Sequence, residues 1–355
     1  MKIGIYDPYL DDLGGGEKYM MKIAQCFSQN NEVFVFWNEE EDFDDLKKRF
    51  LIDLSRVSLR NNIFSKNFPI WKRLIESKRY DVIILLSDGS VPFLLSKKTY
   101  IHIQQPLPRI GLDLKAKLKL SRISGIFCNS SYTKSFIDKS WGINTSILYP
   151  PVELKPKKTI KENIILHVGR FRVKNVGTED YKKQGVMIDA FKKMIKQGLR
   201  NWKFVLAVSI RDDDKEVFDQ VRESAKNLPI EFIVNRNNDE LWDIYSKAKI
   251  YWHASGFGED LKKHPEYAEH FGISTVEAMG AGAVPVVIDA GGQKEIVEEG
   301  KCGFLWNSIN ELIEKTSKLM ENEKLLKKMS ENARRRSARF AGDRFCKELE
   351  EIISK

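Results

Sequence analysis

The sequence predicts an α/β protein made of two Rossmann-like domains, each with a doubly wound parallel sheet between layers of helices. Strand patterns alternate with helical patterns along the whole chain, which is typical of parallel sheets. The alternation stops at Tyr149-Pro150-Pro151-Val152 and a lysine-rich stretch, and then begins again. At 355 residues the chain is also longer than a single hydrophobic core normally organises.

In the first half, β-rich runs alternate with amphipathic stretches. Strands are expected at residues 2–7, 33–37, 81–87, 99–103, 125–129 and 146–149. Helices are expected at residues 17–28, 71–77, 112–123 and 132–140. Consecutive prolines followed by charged residues then indicate a stiff linker, so we place the first domain at residues 1–152.

The second half repeats this organisation. Strands are expected at residues 164–169, 203–209, 231–235, 250–254 and 284–289. Helices are expected at residues 184–197, 215–227, 239–248 and 273–281, and the tail is expected to be helical from residue 309 onward. We therefore place a second domain at residues 153–335 and a terminal helical segment at residues 336–355. Domains of this kind bind ligands at the carboxyl ends of their strands.

Composition restricts the compartment and the class of protein. The hydrophobic fraction of 42% supports real cores, and no apolar run approaches the ~20 residues that a membrane span needs. The first residues lead directly into a strand pattern, without the apolar region of a signal peptide. The four cysteines are far apart in the sequence, which predicts reduced thiols in a cytoplasmic protein, with neither a disulfide nor a zinc site.

The formal net charge of +9 favours an anionic partner, which could be nucleic acid, a phosphorylated substrate or an acidic lipid surface. Residues 96–122 concentrate this charge against a single acid, Asp113. The basic residues are Lys97, Lys98, Arg109, Lys115, Lys117, Lys119 and Arg122. A solvated helix face and a binding face explain this stretch equally well. We expect no nucleic-acid partner, because no motif of interleaved aromatic and basic residues is present.

The most informative stretch is EHFGISTVEAMGAGAVPVVIDAGG, which begins at Glu269. Glu269 and Glu277 stand eight residues apart, and a helix starting near Gly272 places Glu277 in its early turns, since one turn takes about 3.6 residues. Free backbone amides at such a helix start attract phosphate or strongly polar groups. Two acids beside a helix start therefore predict a site for a ligand rich in hydroxyls and phosphate.

Basic residues lie on both sides of the loop that follows the first strand of the second half. Arg170 and Arg172 follow the strand, and Lys182 and Lys183 precede the next helix. One arginine and one lysine meeting at this edge would neutralise a diphosphate, the arginine as a fork and the lysine as a point charge. For Arg172, Lys174 and Lys183 we expect ordinary surface charge.

Glycines, histidines and acidic pairs supply further candidates. The turn Gly14-Gly15-Gly16 would let backbone approach a phosphate, although a plain strand–helix turn is the simpler explanation. The three histidines in strand patterns are His102 and His253, near strand ends, and His167, which is expected to face packing. The histidines lack metal spacing. We expect structural roles for the acidic runs at residues 42–44 and 212–214, although such runs can hold Mg²⁺.

Taken together, these motifs resemble family 4 glycosyltransferases of the GT-B fold over essentially the full length. The resemblance rests chiefly on the spacing of Glu269 and Glu277, which is followed by AMGAGAVPVV and GGQKEIV. Further motifs that support the resemblance are VGR, KKQGVMIDAF, GGGEK, CNSSYTK and LYPPVEL. The resemblance implies two Rossmann-like domains facing a cleft, with the last helix crossing back to the first domain.

The resemblance also implies roles for individual residues. Arg170 and Lys182 would bind the donor diphosphate, Glu269 the hydroxyls of the donor sugar, and Glu277 the ribose. Backbone amides near Gly272, Ile273 and Ser274 would reach the sugar and the phosphate. His102 would lie near the transferred sugar and the acceptor, and the loop at Gly15 and Gly16 would close over the phosphates. The register leaves Lys183 as an alternative to Lys182.

The implied reaction is a retaining transfer of a sugar from a GDP- or UDP-sugar, without a metal. The segment GFGEDLKKHPEYA resembles mannosyltransferases that extend lipid-linked oligosaccharides, which suggests GDP-mannose and a polyprenyl-linked acceptor. The family's cationic first domain commonly rests on an anionic membrane, so we expect a peripheral protein on the cytosolic membrane face. The alternatives are a nucleotide-sugar epimerase or phosphorylase on the same fold, and a non-enzymatic basic module that binds lipid or nucleic acid.

Overall fold

The structure is a computed structural model that describes residues 1–12, 14–50, 52–107, 114–175 and 178–354. The chain forms two compact units. The first unit comprises Met1–Pro151 and Gly342–Lys355, and the second comprises Val152–Ala341. Each unit is built around its own parallel sheet.

The first unit has a seven-stranded sheet in the order β3-β2-β1-β4-β5-β6-β7. Its strands are β1 (Lys2–Tyr6), β2 (Glu32–Phe36), β3 (Val57–Arg60), β4 (Val82–Leu86), β5 (Lys98–Ile103), β6 (Gly125–Cys128) and β7 (Ser146–Ile147). Its helices are α1 (Gly15–Ser28), α2 (Glu40–Phe50), α3 (Ile70–Ser77), α4 (Leu114–Leu120), α5 (Ser131–Trp141) and, from the end of the chain, α13 (Phe345–Ser354).

The helices of the first unit lie on two faces of its sheet. From β1 to β3 the chain steps across the sheet in one direction, and from β3 to β7 it steps in the other. Because crossovers between parallel strands are right-handed, α1 and α2 cover one face, while α3, α4 and α5 cover the opposite face. The apolar clusters agree, since Val33 packs with α1 and α2 and the neighbouring Phe34 packs with α5.

A disulfide joins Cys26 on α1 to Cys346 on α13, with their Cα atoms 5.3 Å apart and a sequence separation of 320 positions. The prediction of four reduced cysteines is therefore wrong for this pair, whereas Cys128 and Cys302 are free and buried. Sequence separation concealed the pair because only the return of α13 onto α1 brings the two sulfurs together. Such a bond is more typical of oxidising compartments than of the cytosol.

The second unit has a six-stranded parallel sheet in the order β12-β11-β8-β13-β14-β15. Its strands are β8 (Glu162–Arg170), β11 (Lys203–Ser209), β12 (Ile230–Val234), β13 (Ala248–His253), β14 (Val284–Ile288) and β15 (Phe304–Trp306). Separately, the short strands β9 (Lys174–Asn175) and β10 (Thr178–Glu179) pair antiparallel. Its helices are α6 (Gln184–Lys196), α7 (Lys215–Ser224), α8 (Asn238–Lys247), α9 (Ile273–Gly280), α10 (Gln293–Ile296), α11 (Ile309–Glu321) and α12 (Glu323–Ser337).

The two parallel sheets confirm the predicted α/β construction, and most expected elements differ from the observed ones only at their ends. Four elements of the main layers were missed, namely α2, β3, α10 and β15. The strands β3 and β15 and the helix α10 are too short to show a period, whereas α2 is so strongly charged that it resembles a loop. Among the described residues, no helix combines the length and the apolarity that crossing a membrane requires.

Candidate functional site

The carboxyl edge of the second sheet gathers most of the predicted site residues. Strand β8 ends at Arg170, and the neighbouring strand β13 ends at His253. Helix α6 begins just after Lys182, and helix α9 begins just after Gly272. In open α/β sheets this edge is where ligands bind.

Glu269 lies at the centre of this edge and holds two partners with one oxygen. Its Oε2 atom accepts a hydrogen bond from Lys182 Nζ at 2.5 Å and from His253 Nε2 at 2.9 Å. Lys182 comes from the turn before α6, and His253 comes from the end of β13. The three side chains are mostly buried, so they form a charged cluster with limited access to water.

The electrostatics of this cluster fix its charge state. Burial opposes ionisation of Glu269, but the Lys182 ammonium and the His253 hydrogen bond hold the pKa of Glu269 well below its usual range. Burial lowers the pKa of His253, so this imidazole is neutral near pH 7 and donates the proton on Nε2. The site therefore presents an ionised carboxylate that is held from two sides.

Two buried tyrosines support the start of α9. The Tyr245 hydroxyl donates to Glu277 Oε2 at 2.9 Å, and the Tyr251 hydroxyl shares a hydrogen bond of 2.8 Å with Ser274 Oγ. Both tyrosines are fully enclosed. They orient Glu277 and Ser274, whereas the first amides of α9, at Ile273 and Ser274, lack intrahelical acceptors as at any helix start.

The glycine pair Gly291-Gly292 packs against the backbone that carries Glu269. The Gly292 amide donates to the Glu269 carbonyl at 2.8 Å, and a Cβ atom on Gly292 would lie 2.5 Å from Phe271 Cα. At Gly291, where φ is +60°, a Cβ atom would collide with the Glu269 carbonyl oxygen. The pair is therefore needed for close approach, and it holds the Glu269 loop in place.

Replacing Gly291 with alanine is expected to destabilise the second unit strongly. Gly300→Ala is a matched control, because Gly300 has a similar φ of +71° and open space around the missing Cβ atom. We expect the control to lose ~1 kcal/mol of unfolding free energy through left-handed strain alone, and Gly291→Ala to lose a further ~1–3 kcal/mol through overpacking. Equal losses in urea-induced unfolding would show that the contact with Glu269 is unimportant.

The structure corrects two predictions of surface charge. The Arg172 and Lys183 side chains are largely buried, Arg172 against Asp214 at 3.4 Å and Lys183 against Glu259 at 2.5 Å. Carboxylates from distant parts of the chain cover both cations, which local sequence could not reveal. Arg170 is exposed at the end of β8. The side chain of Lys174 lies outside the described residues.

This arrangement favours Lys182 over Lys183 as the lysine of the site. Lys182 pairs with Glu269, whereas Lys183 pairs with Glu259. The turn before α6 thus divides its two lysines between different carboxylates. The assignment of Lys182 to a ligand stays a prediction.

In the first unit, His102 is enclosed within the core. Its ring stacks between Tyr19 and Phe127, with centroid distances of 4.1 and 4.7 Å, and its Nδ1 atom lies 3.1 Å from the Phe127 carbonyl oxygen. Burial lowers its pKa to about 3, so the ring is neutral. This placement favours a packing role, and contact of His102 with a substrate stays a prediction.

The glycine turn of the first unit is lined with carboxylates. Helix α1 begins at Gly15, and the Glu17 side chain accepts the Gly14 amide at 2.5 Å. Gly16 lies against Gln104, whose Nε2 atom donates to the Gly16 carbonyl. Burial, together with the Glu17 charge, raises the pKa of Asp7 to about 8. A carboxylate already serves this helix start, so closure of Gly15 and Gly16 over phosphates stays a prediction.

The remaining predictions concern packing and metals. His167 is buried as expected and lies 3.0 Å from the Trp252 carbonyl oxygen. Asp44 pairs with Lys47, and the buried Asp214 holds Arg172, so both acidic runs contribute to local structure. Within the described residues, no three His, Cys, Asp or Glu side chains are grouped to hold a metal ion.

Sequence reasoning left His253 and Tyr245 out of the site. His253 carried a signal, since it ends a strand at the ligand-binding edge and lies sixteen residues before Glu269. Tyr245 lies within an amphipathic helix pattern, where an aromatic residue indicates core packing. Only the packing of α8 beside α9 shows that its hydroxyl reaches Glu277.

Comparison with known proteins identifies relatives of this chain. A GDP-Man:Man(3)GlcNAc(2)-PP-Dol alpha-1,2-mannosyltransferase from Dictyostelium discoideum is 28% identical over 273 residues, which cover 73% of this chain and 51% of the relative. The human protein of the same name is 30% identical over 245 residues, which cover 62% of this chain and 46% of the human protein. The chain thus spans about half the length of these curated relatives.

The comparison with solved structures concerns the fold. The crystal structure of HepE from Anabaena in complex with UDP has a TM-score of 0.76 and covers the whole of both chains at 19% identity. This likeness confirms the predicted GT-B fold class of two Rossmann-like domains. Residues 153–336, just over half of the chain, match the family described as Glycosyl transferases group 1. The chain belongs to the group 1 glycosyltransferases.

Proposed function

We propose that this protein is a retaining, metal-independent glycosyltransferase that moves mannose from GDP-mannose to a glycan linked to a polyprenyl diphosphate lipid. The observation that carries the proposal is the cluster of Lys182, Glu269 and His253 beside the start of α9. It combines a cation for a diphosphate with an ionised carboxylate for hydroxyls. The names of the relatives support the choice of donor and acceptor.

Each group of the site has a role in this proposal. Arg170 and Lys182 bind the diphosphate, assisted by the amides of Ile273 and Ser274. Glu269 accepts hydrogen bonds from the mannose hydroxyls, and Glu277, oriented by Tyr245, accepts from the ribose. When the diphosphate binds Lys182, His253 still holds Glu269 in position.

The chemistry requires stabilisation of separated charge. The acceptor oxygen bonds to the anomeric carbon as the bond to the diphosphate breaks, and the acceptor proton passes to the departing phosphate. Negative charge then grows on the diphosphate, so fixed cations stabilise the transition state more than the ground state. Attack from the same face as the leaving group retains the anomeric configuration without a protein nucleophile.

The proposal is tested by ligand binding and then by turnover. GDP-mannose should raise the melting temperature more than UDP- or ADP-sugars, because a ligand that binds only the native state stabilises it. GDP should be released from GDP-mannose only when a polyprenyl diphosphate-linked oligomannose acceptor is present. Release without an acceptor, or conversion of the sugar itself, would favour an epimerase or a phosphorylase, and binding without turnover would favour a non-enzymatic module.

Tyr245→Phe is expected to weaken donor binding without changing the chemical step. Loss of the hydroxyl leaves Glu277 less well oriented for the ribose, which is remote from the reacting carbon. We expect KM for GDP-mannose to rise about 3- to 10-fold, as for the loss of one hydrogen bond, with kcat nearly unchanged. Tyr100→Phe serves as a control, because this buried hydroxyl lies in the first unit, where it donates to the Ile353 carbonyl of the same unit. A fall in kcat alone would contradict the assignment of Glu277.

We also propose that one face of the first unit rests on an anionic membrane. The basic–apolar patch comprises exposed apolar side chains of α3 and α4, accompanied by exposed cations. The apolar members are Ile70, Trp71, Ile75, Leu114 and Leu118, and the cations are Lys72, Lys78, Arg79, Lys117, Lys119 and Arg122. The two helices cover the same face of the sheet, so these residues share one side of the unit.

The patch extends the predicted basic stretch at residues 96–122 by a helix that sequence reasoning did not connect with it. Arg109, Asp113 and the side chain of Lys115 lie outside the described residues. Leu114 and Leu118 are 83% and 60% exposed, and Trp71 is 61% exposed, which is costly unless a partner covers them. Each basic residue near an anionic bilayer contributes about 1 kcal/mol of binding. The cytosolic membrane face is the location that this proposal expects, and the Cys26–Cys346 disulfide is an observation against that location.

Flotation with phosphatidylserine-containing vesicles tests the membrane proposal. At low salt the protein should float with the vesicles, and high salt should release it because the attraction is partly electrostatic. Trp71→Ser and Leu118→Ser should each reduce flotation several-fold. Ile160→Ser is the matched control, since Ile160 is 87% exposed in the second unit. Absence of flotation at low salt would remove the proposal.

A further inference from the structure

The turn that carries Lys182 has an unusual backbone. Asp180 and Lys183 both have positive φ angles, +43° and +54°, although neither is a glycine. L-residues adopt this left-handed conformation at an energetic cost, and such strain persists only where surrounding contacts hold it. The contacts of residues 180–183 therefore determine where the Lys182 ammonium lies.

Asp180 ties one end of the turn to helix α6. Its two carboxylate oxygens accept the amides of Gln184 and Gly185 at 2.9 and 3.0 Å. This carboxylate caps the helix and fixes the direction in which the turn leaves it. The cap does not by itself reach the rest of the site.

The next three side chains all reach the stretch that ends at Glu269. The Tyr181 hydroxyl donates to the Ala268 carbonyl at 3.2 Å, and Lys182 pairs with Glu269. Lys183 Nζ lies 2.5 Å from Glu259 Oε1. The two outer residues, Tyr181 and Lys183, are thus held by residues 256–268, and Lys182 lies between these two anchors.

The facing segment, which we call the 256–268 loop, is organised by its own hydrogen bonds. The Glu259 amide donates to the Gly256 carbonyl at 3.2 Å, and the His264 amide donates to the Asp260 carbonyl at 2.8 Å. The rings of His264 and Tyr267 stack at 4.8 Å. These internal contacts therefore give the 256–268 loop a defined conformation of its own.

Burial distinguishes the Lys183–Glu259 pair from other ion pairs of this loop. The side chains of Lys183 and Glu259 are 14% and 20% exposed, whereas the Lys263 side chain, paired with Asp260, is 78% exposed. Exposed pairs are screened by water and salt and contribute little to structure, whereas partly buried pairs are screened much less. The buried Lys183–Glu259 ion pair joins the loop to the turn of Lys182.

We propose that Lys183 and Glu259 form a positioning pair, through which the 256–268 loop holds the strained turn and aims Lys182 at the donor diphosphate. The inference rests on the proposed function, in which Lys182 binds that diphosphate. In this role neither Lys183 nor Glu259 touches the donor. The loop thereby contributes to donor affinity from outside the ligand-binding surface.

A charge exchange tests the pair with two separate measurements. GDP affinity is measured by calorimetry, and backbone motion is measured by hydrogen exchange in peptides that cover residues 180–187. We expect Glu259→Gln and Lys183→Gln each to weaken GDP binding about tenfold, as expected for coupled neighbouring residues, and to accelerate exchange in these peptides. The double variant Lys183→Glu, Glu259→Lys should recover most of both properties, whereas Lys183→Glu alone should not.

The controls separate this inference from the proposed function. Lys263→Gln alters the exposed pair of the same loop and should leave both measurements unchanged. GDP affinity within twofold of wild type in both single variants, or a double variant no better than the single ones, would overturn the positioning role. Failure of the wild-type protein to bind GDP or UDP would instead overturn the proposed function, and hydrogen exchange would still report whether the pair holds the turn.

Discussion

Glu269→Gln is expected to reduce kcat for mannose transfer about 10³-fold, a loss comparable to removing one preorganised electrostatic group from an active site. The amide keeps the shape of the side chain but removes the charge that Lys182 and His253 hold in place. Stability should fall by no more than about 1–2 kcal/mol, because the amide oxygen still accepts from His253. Steady-state kinetics and thermal unfolding of the same preparation check both expectations.

Glu266→Gln is the control for this variant. Glu266 precedes Glu269 by three residues and pairs with His264, so its carboxylate belongs to the loop and not to the site. We expect nearly wild-type turnover from the control. If Glu269→Gln retained a tenth or more of the wild-type kcat, Glu269 would not be the carboxylate that holds the donor sugar.

Lys182→Met is expected to weaken binding of both GDP-mannose and GDP by about 30- to 150-fold, the effect of losing a charge-assisted hydrogen bond worth ~2–3 kcal/mol. Glu269→Gln should instead weaken binding of GDP-mannose while leaving GDP affinity nearly unchanged, because GDP has no sugar for Glu269 to hold. Calorimetric titration of the two variants with the two ligands therefore separates the phosphate role from the sugar role.

The pH dependence of Lys182→Met and a control variant provide two further checks on the role of Lys182. The ammonium helps to keep the pKa of Glu269 below its usual range, so its loss should move the acid limb of the pH–rate profile to higher pH. Lys263→Met removes an exposed lysine and should change neither ligand affinity nor the pH profile. If Lys182→Met bound GDP as tightly as the wild-type protein, another cation would have to bind the diphosphate.

Much of the architecture could be predicted because it depends on local periodicity. Strand β11 was predicted at its observed bounds, and the helices α6 and α9 began where expected, because buried strands and amphipathic helices repeat within a few residues. Helix α2 carried apolar residues on one face, Phe43, Leu46 and Phe50, but its charge concealed them. Short elements such as β15 have no period to detect.

The candidate site likewise has residues that could be predicted from the sequence and contacts that could not. Glu269, Glu277 and the lysines before α6, Lys182 and Lys183, could be selected from residue types and spacing. A ligand with hydroxyls and phosphate needs carboxylates, cations and a helix start. Their partners could not be selected. Lys182 meets Glu269 across 87 residues of sequence, Lys183 meets Glu259 across 76, and Tyr245 meets Glu277 across 32.

The sequence by itself determined the fold class, the two halves of the chain and the chemistry available at the edge of the second sheet. Only the tertiary structure decided that Glu269 is held by His253 as well as Lys182, that Lys183 is buried against Glu259, and that Cys346 joins Cys26. The physical reason is that hydrophobic periodicity acts between neighbours in the chain, whereas ion pairs and disulfides depend on which distant segments packing brings into contact.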